Sequence, residues 1–455
     1  MTTSPPSSTD RDRDLWRHAD FLRLWAAQAI SAFGSRITRT ALPIIAVITL
    51  HQSEAAVGLL AAVQLVPGIF LAMLAGGLVD RGRKRRILIV SDLIRAVLVG
   101  SLTVASLFHV LSILQVIVVG AGVGAATALF QITDVAYLPA LIGRRRLAEG
   151  NAKLETTEAV AEITGPASAC VLIGALGAPL AVVIDAASYV WSAVMLGRIR
   201  GREPTRRRDA AADPGAALEA SASASAVRTG RDFRVGLAAV FGNPLVRPVI
   251  SSLMMWSVTG GFFIALYTPF CLREIGLSEA TFGVIVAMGG IGSLAGAVLG
   301  RGLARRLGVG PTLIASAILS LTFTLFVPIA ASGTSYAMKL GFLIAHQLLG
   351  DCFAVSFIVL AVTLRQTALP RGVLGRANAA IHVCTTGVLV ISAVAAGALA
   401  SWIGIHVAVW GGFATGLIAP IFLWPLRRLR EMPAGDLGSG ESGALAPPAT
   451  DASVA

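Results

Sequence analysis

The chain of 455 residues is 55% hydrophobic and only 14% charged, with a mean hydropathy of +0.77, where a soluble domain carries about 25% charged residues. That composition excludes an ordinary soluble domain. The formal net charge of +12 would fit a polyanion in a soluble protein, but here the basic residues fall in the gaps between apolar runs, so the charge reads as membrane topology and nucleic acid is excluded as a partner.

Residues 1–20 are polar and proline-rich without a cleavable signal pattern, so they read as a cytoplasmic tail. About 20 apolar residues cross the hydrocarbon core as a helix, and twelve segments meet or approach that length: 21–49, 55–79, 87–108, 110–132, 153–176, 178–197, 246–271, 279–303, 311–331, 335–360, 377–400 and 404–425. The runs show no period-two alternation, which excludes a barrel. The expected fold class is therefore all-α integral membrane. Cys170, Cys271, Cys352 and Cys384 are far apart inside apolar runs, without metal or disulfide spacing.

Basic residues crowd alternate gaps: the first tail, Arg81 to Arg86, Arg144 to Arg146, Arg198 to Arg208, Arg301 to Arg306, Arg365 to Arg376 and Arg427 to Arg430. The other gaps hold almost none, Arg273 and Lys339 being the exceptions. Both termini are accordingly expected in the cytosol of a multi-pass protein of the bacterial plasma (inner) membrane. Residues 198–245 read as a cytoplasmic linker, rich in Ala, Ser and charge, that ends in an amphipathic helix with Phe233, Leu237, Val240 and Phe241 on one face. It separates six-helix bundles at 21–197 and 246–428, and 429–455 form a Gly, Ala and Pro-rich tail expected to be disordered. The halves echo each other. Leu138-Pro139 with Leu147, Asn151 and Ala152 returns as Leu369-Pro370 with Leu374, Asn378 and Ala379, and the loop after the second span returns, without its acid, at Gly300 to Gly308.

The loop Gly76-x-x-x-Asp80-Arg81 with Arg83 to Arg86, the 6+6 duplication and the long linker resemble the major facilitator superfamily. The resemblance extends to its bacterial exporter branch, which includes macrolide-efflux and siderophore-export proteins, through Asp92-Leu93-Ile94-Arg95-Ala96, Asn151-Ala152, Gly165-Pro166, Gly242-Asn243-Pro244, Leu364-Arg365-Gln366 and Leu374 to Ala379. One departure is that Gly82 follows Arg81 directly. The resemblance implies a gating latch made by Gly76, Asp80, Arg81, Arg83, Lys84, Asp92 and Arg95, with Asp80 capping the helix near Ala377 and the arginines reaching Asp134. The alternative for the arginines is that they only fix topology.

Charges within spans are costly in lipid and are functional candidates. Arg36 and Arg39 share a face of the first span and need acidic partners, Glu162 or Asp185, or an anionic substrate. Glu155, Glu158 and Glu162 line one face of the fifth span; the first two suit the helix dipole, and Glu162, the deepest, is the candidate proton-coupling carboxylate. Gly165-Pro166 predicts a bend in that helix. His346 and Asp351 lie about one turn apart as a candidate relay pair, with packing as the alternative for the histidine. The glycine runs sit inside apolar spans without a Walker lysine, so they read as helix packing and no nucleotide cofactor is expected.

These features lead to the expectation of a monomeric, proton-driven exporter of a small amphipathic or anionic molecule. A nutrient importer or uniporter, and a non-transporting receptor or assembly factor, stand as alternatives. An enzyme is disfavoured, because no nucleophile or metal constellation lies at one depth.

Overall fold

The computed structural model describes residues 15–143, 146–200 and 230–432, with the side chains of 72–81, 167, 230–232 and 371 outside that description. Most of the expected tails, most of the linker, Arg144 and Arg145, the surroundings of Gly76 and the side chains of Asp80 and Arg81 thus lie outside the described residues. The described chain is helical. In the first half it forms α1 (Ala19–Ile44, continued by a π turn Ile45–Thr49), α2 (Glu54–Arg81), α3 (Lys84–Leu107), α4 (Ile113–Ile142), α5 (Leu147–Leu176) and α6 (Ala178–Gly197). A short helix, α7 (Gly230–Gly242), precedes α8 (Val246–Glu274), α9 (Glu279–Leu307), α10 (Val309–Ala331), α11 (Tyr336–Ala368), α12 (Arg371–Ile403) and α13 (Ile405–Arg428).

Eleven of these helices are long and apolar enough to cross a bilayer. The first of the twelve expected spans is the one missing from that set: in α1, Arg36, Arg39, Gln28, Ser31, Ser35, Thr38 and Thr40 lower the hydropathy. It is nonetheless an integral part of the bundle, packed on α5 and α6. Its polarity is a property of what it faces.

The helices stop where the sequence supplies caps. Ser112, Ser278 and Ser335 accept from the backbone N–H three residues on and open α4, α9 and α11. Gly177 and Gly404, at φ of 80° and 91°, are single-residue links from α5 to α6 and from α12 to α13; such a turn needs the left-handed region that glycine enters without penalty. The duplication is visible here in backbone form. Gly177 matches Gly404 in place, and the π turn ending α1 matches the one at Phe270–Glu274 ending α8.

Every second connection brings the chain back to an end bearing Arg83 to Arg86, Arg301 to Arg306 and Arg427 to Arg430, the basic end; the other is the far end. Within the first half α1 packs on α5 and α6, α2 on α4, and α3 on α4 and α6. In the second, α8 packs on α12 and α13, α9 on α11, and α10 on α11 and α13. The halves meet along two seams, α2 against α12 and α5 against α9. At the far end one apolar core spans both halves, joining Val47, Val57 and Ile173 to Phe270, Phe282 and Ala396. Toward the basic end the cores separate, one confined to the first half around Phe21, Leu88 and Leu196, and two confined to the second. The halves are sealed at the far end and part toward the basic end. The short α7 uses Val240 to join one of the second-half cores with Ile250 and Ile381, and Phe241 stays exposed.

The α2/α12 seam depends on glycine. A Cβ at Gly58 would lie 2.6 Å from the Ala393 carbonyl oxygen, and one at Gly397 would lie 2.6 Å from that of Glu54. Backbone cannot yield as a side chain tip would. Gly58→Val is therefore expected to pry the far end apart. Cys170, fully buried beside Gly283 on the other seam, should then react with a membrane-impermeant maleimide that leaves the wild-type thiol unlabelled.

Candidate functional site

The most polar feature at mid-depth is built by α1 and α5. Arg36 is only 4% exposed, and its guanidinium is divided between two carboxylates one turn apart, Nη2 donating to Glu158 and Nη1 forming an ion pair with Glu162. Arg39, one turn along α1, stands 4.0 Å from Glu162 and is 66% exposed. Both glutamates are more than half exposed. Carboxylates halfway along a span would be very costly against hydrocarbon. Their exposed oxygens fit water in the space where the halves part. The α5/α9 seam closes immediately beside them: Ile163 abuts Gly290 at the same depth, and Asp351 and Gln347 of α11 pack against the neighbouring Gly289.

Of the acids expected to serve Arg36, Glu162 does and Asp185 does not. Asp185 is fully buried and accepts from the hydroxyls of Thr38 and Ser188, the latter at 3.0 Å. Glu158, expected merely to suit the helix dipole, is instead the second anion on Arg36; Glu155 stays exposed. Helix α5 is continuous from Leu147 to Leu176 through Gly165-Pro166.

Asp92 and Arg95, expected among the latch residues, lie within the third span. They are three apart on α3, buried inside the first half and ion-paired to each other. The Ser192 hydroxyl donates to Asp92 at 2.6 Å, and the Arg95 guanidinium lies 4.5 Å and 4.4 Å from the ring centres of Phe130 and Tyr189. Asp134 is taken by Gln28, whose amide donates to it at 2.5 Å. Arg85 donates to the carbonyls of Leu196, at 2.7 Å, and Gly197, capping α6. Among the described residues Arg83 and Lys84 make no ion pair. His346 belongs to a π turn, His346–Gly350, and no hydrogen bond joins it to Asp351. Its Nδ1 faces the Phe323 carbonyl at 3.2 Å, and its ring packs beside Phe263 and Tyr267.

Sequence reasoning missed the polar contacts that close the far end. Arg273 of α8 donates to Glu54 of α2 at 3.2 Å and to the Val47 carbonyl of α1 at 2.7 Å, and the Ala55 N–H donates to Ser401 of α12 at 3.1 Å. The available signal was Arg273 itself, a lone arginine in a gap otherwise almost free of basic residues.

Residues 24–368 match the family model described as Major Facilitator Superfamily. The chain belongs to the Major Facilitator Superfamily. It is 26% identical to YfiS of Bacillus subtilis (strain 168), described as an uncharacterized MFS-type transporter, over 85% of this chain and 88% of the relative. A crystal structure of a bacterial homologue of the iron transporter ferroportin in an inward-facing state matches with a TM-score of 0.69 at 16% identity, covering 91% of this chain and all of the other. An outward-facing structure of such a homologue, also 16% identical, gives 0.53 over 89% of this chain and 98% of the other. The nucleoside transporter NupG matches with a TM-score of 0.69 at 10% identity, over 90% and 99%. As a superfamily member the chain is a multi-pass secondary transporter of a small molecule, not an enzyme.

Two outcomes test this geometry. Asp92→Ala would leave Arg95 charged and unpaired in the first-half core, at a cost of about 3–5 kcal/mol, read as a large drop in melting temperature in detergent. Arg273→Gln should raise labelling of Cys170 from the far side, and the exchange Glu54→Arg with Arg273→Glu should return it toward wild type.

Proposed function

We propose that this transporter is a proton-coupled exporter, an antiporter of a small amphipathic or anionic molecule such as an antibiotic, siderophore or secondary metabolite. The observation that carries the reading is the Arg36 guanidinium held between Glu158 and Glu162 beside the point where the halves close. Protonation of Glu162 would remove one of the two anions on Arg36. The freed guanidinium would then be available to a carboxylate, phosphate or other acceptor on the substrate. An anionic substrate arriving first would do the reverse, taking the arginine and leaving Glu162 to bind a proton. One site thus exchanges proton for substrate without a cofactor, with the proton gradient as the energy source.

The basic end is taken as cytoplasmic, with both termini there, on the bias of Arg and Lys toward that side. The described state is then inward-facing, a reading also supported by the higher TM-score to the inward-facing homologue. Alternating access would seal the basic end and open the far end, with the halves rocking about the mid-depth site. Export rather than import is favoured by the exporter-type loop from Gly76 to Arg86 and by Gly165-Pro166 in α5. The proposed latch of Gly76, Asp80, Arg81, Arg83 and Lys84 would act in the state closed at the basic end. Asp351 and Gln347, across α9 from Ile163, are the second half's contribution at the same depth.

The test is efflux into everted vesicles across a panel of dyes, macrolides and siderophores, with and without a pH gradient. Proton-driven uptake is expected in the wild type. Glu162→Gln should lower it about tenfold, the equivalent of roughly 1.4 kcal/mol, and Arg36→Ala should lower it at least as far. Movement of no compound, or transport indifferent to both the gradient and Glu162→Gln, would overturn the proposal.

A further inference from the structure

Arg36 reaches its two glutamates by crossing α5 at one residue. A Cβ built on Gly165 would lie 2.7 Å from Arg36 Cβ and 2.6 Å from its Cγ, with Cδ at 3.8 Å. The space a side chain at 165 would fill is occupied by the root of the arginine. The Cβ is fixed by the α1 backbone and cannot swing aside, and the Cγ can leave only by a change of rotamer. Position 165 is also one turn from Glu162, so the stem passes over α5 and the guanidinium comes down on the next two turns. Among the described residues the Arg36 Nε has no hydrogen-bond partner, and Glu158 and Glu162 are the carboxylates that hold the guanidinium.

We propose that Gly165 is a positioning residue for the exchange site: its missing side chain is the notch that seats Arg36 between Glu158 and Glu162. This rests on the reading of those residues as the coupling site. It assigns the glycine of the Gly165-Pro166 pair a role different from bending the helix. A methyl group at 165 either parts α1 from α5 or turns Arg36 to another rotamer, and in both cases the carboxylates lose their shared cation.

The test needs no substrate. The full chain in detergent is treated with a hydrophobic carbodiimide, which reacts with protonated carboxyl groups, and adducts on Glu158 and Glu162 are quantified by mass spectrometry. Wild type, Gly165→Ala, Arg36→Ala, the double variant and Gly174→Ala are compared, Gly174 having only an ordinary contact, at 3.9 Å, from its would-be Cβ. Gly165→Ala and Arg36→Ala are each expected to raise labelling about tenfold, because neither carboxylate is then covered by the shared guanidinium. The double variant should match Arg36→Ala, because a residue acting through Arg36 has nothing left to position. Wild-type labelling in Gly165→Ala would overturn the proposal, and so would an additive double variant or an equal rise in Gly174→Ala. Should Gly165→Ala fail to fold, it is combined with Arg36→Gly, which removes the atoms the methyl meets: recovery of the folded protein is expected, and continued failure would overturn the proposal. If the labelling behaves as expected but vesicles move no compound, the notch stands and the transport reading fails.

Discussion

The arrangement depends on a guanidinium that is almost completely buried halfway through the bilayer-spanning bundle. Such a charge persists only where anions meet it with good geometry, because desolvation otherwise exceeds what a single imperfect pair returns. Arg36 meets two, Glu158 and Glu162, one turn apart. The rest of α1 and α5 is consistent with that demand. The two helices approach closely at Gly165, the glutamates face the space where the halves part, and α1 carries enough polarity to fall outside the set of apolar spans.

Charge is distributed unevenly between the halves. The first half holds three separate buried polar groupings: Arg36 with its glutamates, Asp92 with Arg95 and Ser192, and Asp185 with Thr38 and Ser188. The second offers His346, Gln347 and Tyr267 around a π turn, with Gln347 donating to the Tyr267 hydroxyl at 3.1 Å. The Asp92 to Arg95 pair and the Asp185 cluster tie α3, α6 and α1 together, with fully buried acids whose partners are all internal. They stiffen the half that carries the proposed exchange site. A rigid first half converts a local change at Arg36 into movement of whole helices, since packed interiors shift between discrete arrangements and do not deform continuously.

Much of this fold was legible in the sequence for simple reasons. A helix that must cross hydrocarbon announces itself as an apolar run, and the loops at one end announce themselves by arginine. Gly177 and Gly404 mark turns that few other residues could make. Pairing was harder to read, because two helices distant in sequence decide it. Glu158 looked like a residue suited to a helix start until α1 was laid beside it. Asp92 and Arg95 have a spacing of three that already put them on one helical face, but that spacing does not show that they pair with each other and with Ser192 of α6. At Gly165 a sequence shows that a side chain is absent but not that the root of Arg36 fills the space it leaves.

Helix α1 links the proposed exchange site to the far-end contacts of Arg273. Arg36 lies in its middle, and Val47, whose carbonyl accepts from Arg273 at 2.7 Å, lies in the π turn at its end. At 1.5 Å of rise per residue the two are about 16 Å apart along one helix. A displacement of α1 that follows release of Arg36 reaches the far end with little loss through the helical segment. There it meets a contact made by backbone in a turn whose hydrogen bonds span five residues, Leu50 N–H to the Ile45 carbonyl at 2.9 Å, a geometry that is rare and often found at functional sites. The partner arginine is shared with Glu54 at the start of α2, so one movement loosens both first-half anchors of Arg273. The proposed coupling between proton, substrate and gate would then need no separate relay, because the helix that carries the cation also carries part of the lock.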